Sequence, residues 1–65
     1  MKLVIGQFYK IIFTVGENIL TFNCEILEDD GVFVSFKDKF GKTLSYNKKN
    51  IISIEEQREG NNASR

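Results

Sequence analysis

Residues 7–26 read QFYKIIFTVGENILTFNCEI, and this stretch decides the fold. Gln7 to Val15 is rich in β-branched and aromatic residues. Tyr9, Ile11, Phe13 and Val15 fall on one side of an alternating pattern, with Phe8, Lys10, Ile12 and Thr14 on the other. A period of two marks a strand, because successive side chains leave opposite faces of the pleat. Gly16-Glu17-Asn18 fits a short hairpin turn. Leu20, Phe22, Cys24 and Ile26 then alternate with Thr21, Asn23 and Glu25, which predicts a second strand.

The same reading extends toward the C-terminus. The chain has no proline, so glycine, asparagine and aspartate punctuate it. Glu28-Asp29-Asp30-Gly31 is a turn, with Gly31 suited to a positive φ. Val32, Val34 and Phe36 line a third strand. Lys39-Phe40-Gly41 is a third turn, and Leu44 and Tyr46 face inward from a short fourth strand. Asn47-Lys48-Lys49-Asn50 is a polar connection long enough for one helical turn. Ile52 and Ile54 anchor a fifth strand. The predicted inward set is Tyr9, Ile11, Phe13, Leu20, Phe22, Ile26, Val34, Phe36, Leu44, Ile52 and Ile54. The fold class is all-β: a five-stranded antiparallel small barrel, since closure removes the hazard of open strand edges. Residues 1–58 form this single domain. Residues 59–65 are small and polar and are expected to be a disordered tail.

A chain of 65 residues holds a marginal core. Domains of this size draw on disulfides, a metal or oligomerisation. Cys24 is the single cysteine and there is no histidine, which excludes an intrachain disulfide and a zinc site. Oligomerisation remains. Phe8, Ile12, Ile19, Leu27, Phe33 and Ile51 lie on the parity opposite the core, more than one small barrel can turn inward. Phe8, Ile12, Phe33 and Ile51 are therefore the candidate oligomer interface.

Catalysis has little to work with. Without histidine the commonest general base near neutral pH is missing. Cys24 lies on the apolar side of a strand and reads as an inert buried thiol. Glu28, Asp29 and Asp30 are adjacent in a tight turn, whereas a calcium loop needs ligands at alternate positions. No catalytic residue, metal or cofactor is expected. The lone cysteine fits a reducing compartment. Neither a signal-peptide core nor an apolar run near the roughly 20 residues of a membrane span occurs. The expectation is a cytoplasmic protein.

Nine basic and nine acidic residues cancel, which argues against coating DNA by bulk charge. Their distribution is uneven. Glu17, Glu25, Glu28, Asp29 and Asp30 form an acidic stretch; Lys37, Lys39, Lys42, Lys48 and Lys49 follow, opposed by Asp38 alone. Phe40 and Tyr46 lie among these lysines. Basic groups around an aromatic ring can hold a single-stranded backbone while the ring stacks a base. The candidate nucleic-acid-binding set is Lys37, Lys39, Phe40, Lys42, Tyr46, Lys48 and Lys49, with the third turn and the last connection expected to approach one another.

The order of turns resembles the Sm-like barrel. GENILTFNCEILEDDGVFVSF, residues 16–36, is similar to the first Sm motif: a turn glycine, an apolar pair, then an aspartate before a β-branched strand. LSYNKKNIISI, residues 44–54, is similar to the second, with Tyr46 at the tyrosine position and Lys48 near the lysine. The sequence departs from the family at Asn23-Cys24, where a strand glycine is usual. It also departs in the RNA-contacting arginine-glycine or lysine-histidine pair of the second motif. Src-homology-3-type, Tudor and chromo-like barrels share the general shape. The resemblance implies a ring joined through strands four and five, with RNA as ligand. The expected function is a non-enzymatic, self-associating binding module for RNA or single-stranded DNA. The alternative is a protein-interaction module or accessory subunit that binds no nucleic acid.

Overall fold

In a computed structural model, which describes residues 2–57, the alternating segments are five antiparallel strands in one sheet. They are β1 (Phe8–Val15), β2 (Asn18–Asp29), β3 (Phe33–Asp38), β4 (Thr43–Asn47) and β5 (Ile51–Gln57). A single-turn 3-10 helix, Lys48–Asn50, joins β4 to β5. The strand order is β4-β3-β2-β1-β5. The first four strands form a meander, and β5 returns to pair with β1. β4 and β5 are the two edges and do not pair with each other, so the sheet is not closed. Among the described residues no helix is long and apolar enough to cross a membrane. The expected boundary of the tail, between residues 58 and 59, lies outside the described residues.

The sheet is strongly curled. β1 and β4 have two strands between them, a separation of roughly 14 Å in a flat sheet at the usual strand spacing. Yet the Phe13 and Tyr46 rings, one from each strand, have centroids 5.0 Å apart. Phe22 and Phe36 complete this cluster, with Phe13 and Phe36 stacked at 5.8 Å and Phe22 tilted against Phe36 at 5.1 Å. Tyr9, Ile11, Phe13, Cys24, Ile26, Val34 and Phe36 are buried on the concave face, with Phe22, Leu44, Tyr46 and Ile54 packed against them. Leu20 is half-buried.

Two bulges change which residues face the core. An extra residue on one strand reverses the inside-outside alternation beyond it. Between β1 and β5, Ile12 pairs with Ser53 but Phe13 pairs with Ile51. Ile52 is the residue passed over, and it is 56% exposed. Ile51, opposite Phe13, packs against the core instead. The expected inward position of Ile52 is thereby corrected.

Between β2 and β3, Ile26 pairs with Phe36 and Glu28 with Ser35, so Leu27 is passed over. Asp29 then faces buried Val34 and takes an inward position. Its side chain is 1% exposed. The acidic turn is therefore not wholly a solvated one. The Asp29 carboxylate accepts hydrogen bonds from Leu3 N at 2.9 Å, Gly31 N at 2.9 Å and Lys48 Nζ at 2.9 and 2.8 Å. One side chain ties together the N-terminal strap, the β2–β3 turn and the 3-10 helix. The strap adds Leu3 to the core, an apolar contribution that no periodic pattern announces. Val4 N donates to the Tyr9 hydroxyl at 3.1 Å, and Gly6 N to Ile26 O at 2.8 Å.

The rest of the turn follows its composition. Asp30 Oδ1 accepts from Val32 N and Phe33 N, and Gly31 adopts φ +95°, as expected of a residue without Cβ. The helical connection is capped by Asn47, whose side-chain oxygen accepts from Lys49 N at 2.9 Å.

Candidate functional site

The β3–β4 turn is built on Asp38. Its Oδ1 accepts from Phe40 N at 2.9 Å and Lys42 N at 2.8 Å. Asp38 N donates to Lys42 O, Gly41 N donates to Asp38 O, and Gly41 supplies the positive φ of +83° that the reversal needs. Aspartate bonding to its own backbone two residues on is a common way to fix a turn. The turn holds Phe40 outward, 82% exposed. A phenylalanine so presented contributes little to the fold and is available to a ligand. The Lys39 ammonium sits 5.4 Å from the Phe40 ring centroid, within cation–π range. Lys37, Lys39 and Lys42 are all exposed around it. Lys37 pairs with Glu25 in the sheet register, which offsets part of its charge.

Beside Phe40 lies a recess of about 130 Å³ lined by Thr21, Phe22, Asn23, Asp38, Lys39 and Phe40. It exists because β2 outruns β3. Pairing between them begins at Cys24 opposite Asp38, so β2 from Asn18 to Asn23 has no β3 neighbour. A shallower cleft of about 320 Å³ runs on past Lys37 to Phe8 and Gln57.

The expected basic set is divided in space. Lys42 precedes β4 and Lys48 follows it, so five strand residues separate them, roughly 20 Å at the usual rise. The third turn and the last connection stand at opposite ends of β4 and do not approach one another. Lys48 is paired with Asp29 at 2.8 Å, with 15% of its side chain exposed. Lys49 is exposed at that same far end. Tyr46 is half-buried in the aromatic cluster, 5.0 Å from Phe13 and 6.0 Å from Phe36. Of the two rings named from the sequence, Phe40 is the one on the surface beside lysines.

Of the expected interface residues, Phe8 and Ile12 are half-buried, Phe33 is 48% exposed, and Ile51 packs against the core. Val4 and Ile5 are further exposed apolar side chains that the strand alternation left unmarked, and Val32, expected to line the third strand, lies before β3 in the turn and is exposed instead.

Cys24 is buried, and its thiol donates to Tyr9 O at 3.6 Å. Burial pushes its pKa up to about 11, with the nearby Asp38 charge adding to the effect. It is a poor nucleophile near neutral pH. Among the described residues no three histidine, cysteine, aspartate or glutamate side chains are grouped to hold a metal. No protein-family model matches the chain, and neither a curated protein nor a solved structure does.

Proposed function

We propose that the chain is a non-enzymatic, self-associating module of the Sm-like small-barrel kind, and that its β3–β4 turn binds single-stranded nucleic acid. The observation that carries the binding site is Phe40: an exposed ring on a hydrogen-bonded turn, with Lys39 beside it and Lys37 and Lys42 flanking. A base stacked on that ring leaves its phosphates within reach of the lysines, and stacking of this kind is tolerant of sequence. Self-association rests on the two edges of the sheet. β4 and β5 each present unpaired backbone groups, and pairing β4 of one copy with β5 of the next satisfies both. A cytoplasmic setting goes with the single reduced cysteine.

Titration of a labelled single-stranded oligonucleotide over a series of salt concentrations tests the binding. Affinity is expected to fall steeply with salt, and removal of Lys39 or Lys42 to lower the log–log slope by about one. Replacing Lys48 by methionine is expected to leave that slope unchanged, because its ammonium is engaged with Asp29. Absence of binding at tens of micromolar protein would favour the second reading, a protein-interaction module. The exposed Val4, Ile5, Val32 and Phe33 side chains support that second reading, and contacts through them would be insensitive to salt.

A further inference from the structure

We propose that the recess beside Phe40 is a subsite for one nucleobase that carries an exocyclic amino group, with cytosine preferred over uracil. The inference rests on the nucleic-acid reading above and specifies which base the site takes. At about 130 Å³ the recess is well below the roughly 300 Å³ at which pockets for drug-sized ligands begin. It suits a single flat ring system. Phe40 offers a stacking face, and Phe22 lines the recess beneath it from the aromatic cluster.

The polar lining sets the preference. Asp38 is a carboxylate, and an ionised carboxylate only accepts hydrogen bonds. Its Oδ1 is engaged by Phe40 N and Lys42 N, while Oδ2 receives no hydrogen bond among the described residues. A ligand edge that donates is favoured there. Cytosine presents its N4 amino group as a donor; uracil and thymine present O4, an acceptor, and set two acceptors against each other. The Asn23 amide and the Thr21 hydroxyl both donate and accept, so they adapt to the remaining base edge. Both lie on the part of β2 that has no β3 neighbour, which leaves them exposed on that wall. Lys37, Lys39 and Lys42 offset the Asp38 charge for the approaching phosphates.

Fluorescence anisotropy with the full chain at low salt, using short labelled oligocytidylate and oligouridylate, tests this. The two probes differ chiefly at the base edge in question. Oligocytidylate is expected to bind about tenfold more tightly, the discrimination of one good base-edge contact. Asp38→Asn, whose amide can donate to O4 as well as accept, is expected to narrow that gap, and Asn23→Ala to weaken both probes alike. Phe40→Ala is expected to weaken both probes at an unchanged circular dichroism spectrum, and Phe40→Tyr to restore them. The deoxy pair, oligo-dC and oligo-dU, distinguishes RNA from DNA as the source of the base: a cytosine preference in both sugars places recognition on the base alone. Equal affinity for cytidylate and uridylate would overturn the subsite while leaving nucleic-acid binding in place. Binding to none of the four probes would overturn the nucleic-acid reading itself, and the subsite with it.

Discussion

Replacing Phe13 by alanine is expected to leave much of the protein unfolded at room temperature. Phe13 is fully buried in the middle of β1, the strand that pairs with both β2 and β5. Its ring touches three others: Tyr46 at 5.0 Å, Phe36 at 5.8 Å and Phe22 at 6.0 Å. Those rings come from three different strands, so Phe13 is what the curled sheet closes upon. Truncating a buried phenylalanine costs about 3–5 kcal/mol, through lost transfer energy and the cavity left behind. Domains of this size have a total stability of roughly 3–10 kcal/mol at the usual value per residue. The loss is therefore comparable to the whole. Urea denaturation followed by circular dichroism is the measurement, and a loss below about 1 kcal/mol would contradict the packing.

The second large effect is expected at Asp29. Removing its carboxylate takes away the acceptor that Leu3 N, Gly31 N and the Lys48 ammonium share at one end of the sheet. Breaking a buried pair on one side costs about 3–5 kcal/mol. Asp29→Ala is expected near the lower figure, because Lys48 can turn toward water. The strap should also detach, exposing the Leu3 and Val4 amides to hydrogen exchange. Acid provides an independent handle. The Lys48 ammonium, then the Leu3 and Gly31 amides working against burial, hold the Asp29 pKa down to about 2, from an ordinary value of 3.8. The folded state thus binds this proton less readily than the unfolded state. Its stabilisation is fully present above the unfolded pKa and is lost as pH falls through the folded one. Asp30 is shifted in the same direction, chiefly by the Phe33 and then the Val32 amide. Stability is expected to drop between about pH 4 and pH 2, and Asp29→Ala to flatten that drop. An unchanged acid limb in the variant would contradict the assignment.

Strand alternation and turn composition were legible in the sequence because each depends on neighbours only. Tyr9, Ile11 and Phe13 face inward as their spacing requires, and Gly31 and Gly41 take the positive φ that their turns demand. What was hidden depends on pairing between distant strands. A bulge at Ile52 cannot be seen until β5 lies beside β1, and it exchanges the roles of Ile51 and Ile52. The bulge at Leu27 likewise carries Asp29 inward, to a place where Lys48 meets it. Lys48 looked like one of five equivalent basic residues because charge in a sequence has no partner attached to it. Phe40 was marked correctly as a turn tip among lysines. The recess at its side needed the unequal lengths of β2 and β3 to appear.

A module that self-associates and binds a single strand makes one joint demand, and sedimentation velocity meets it most directly. The chain at high micromolar concentration is mixed at low salt with a trace of fluorescent single-stranded oligonucleotide, and protein and label are followed separately. The expected result is a protein boundary faster than that of a 7.5 kDa monomer, with the label moving in it and released by added salt. A monomer boundary with the label sedimenting at its own slow rate would contradict both self-association and binding.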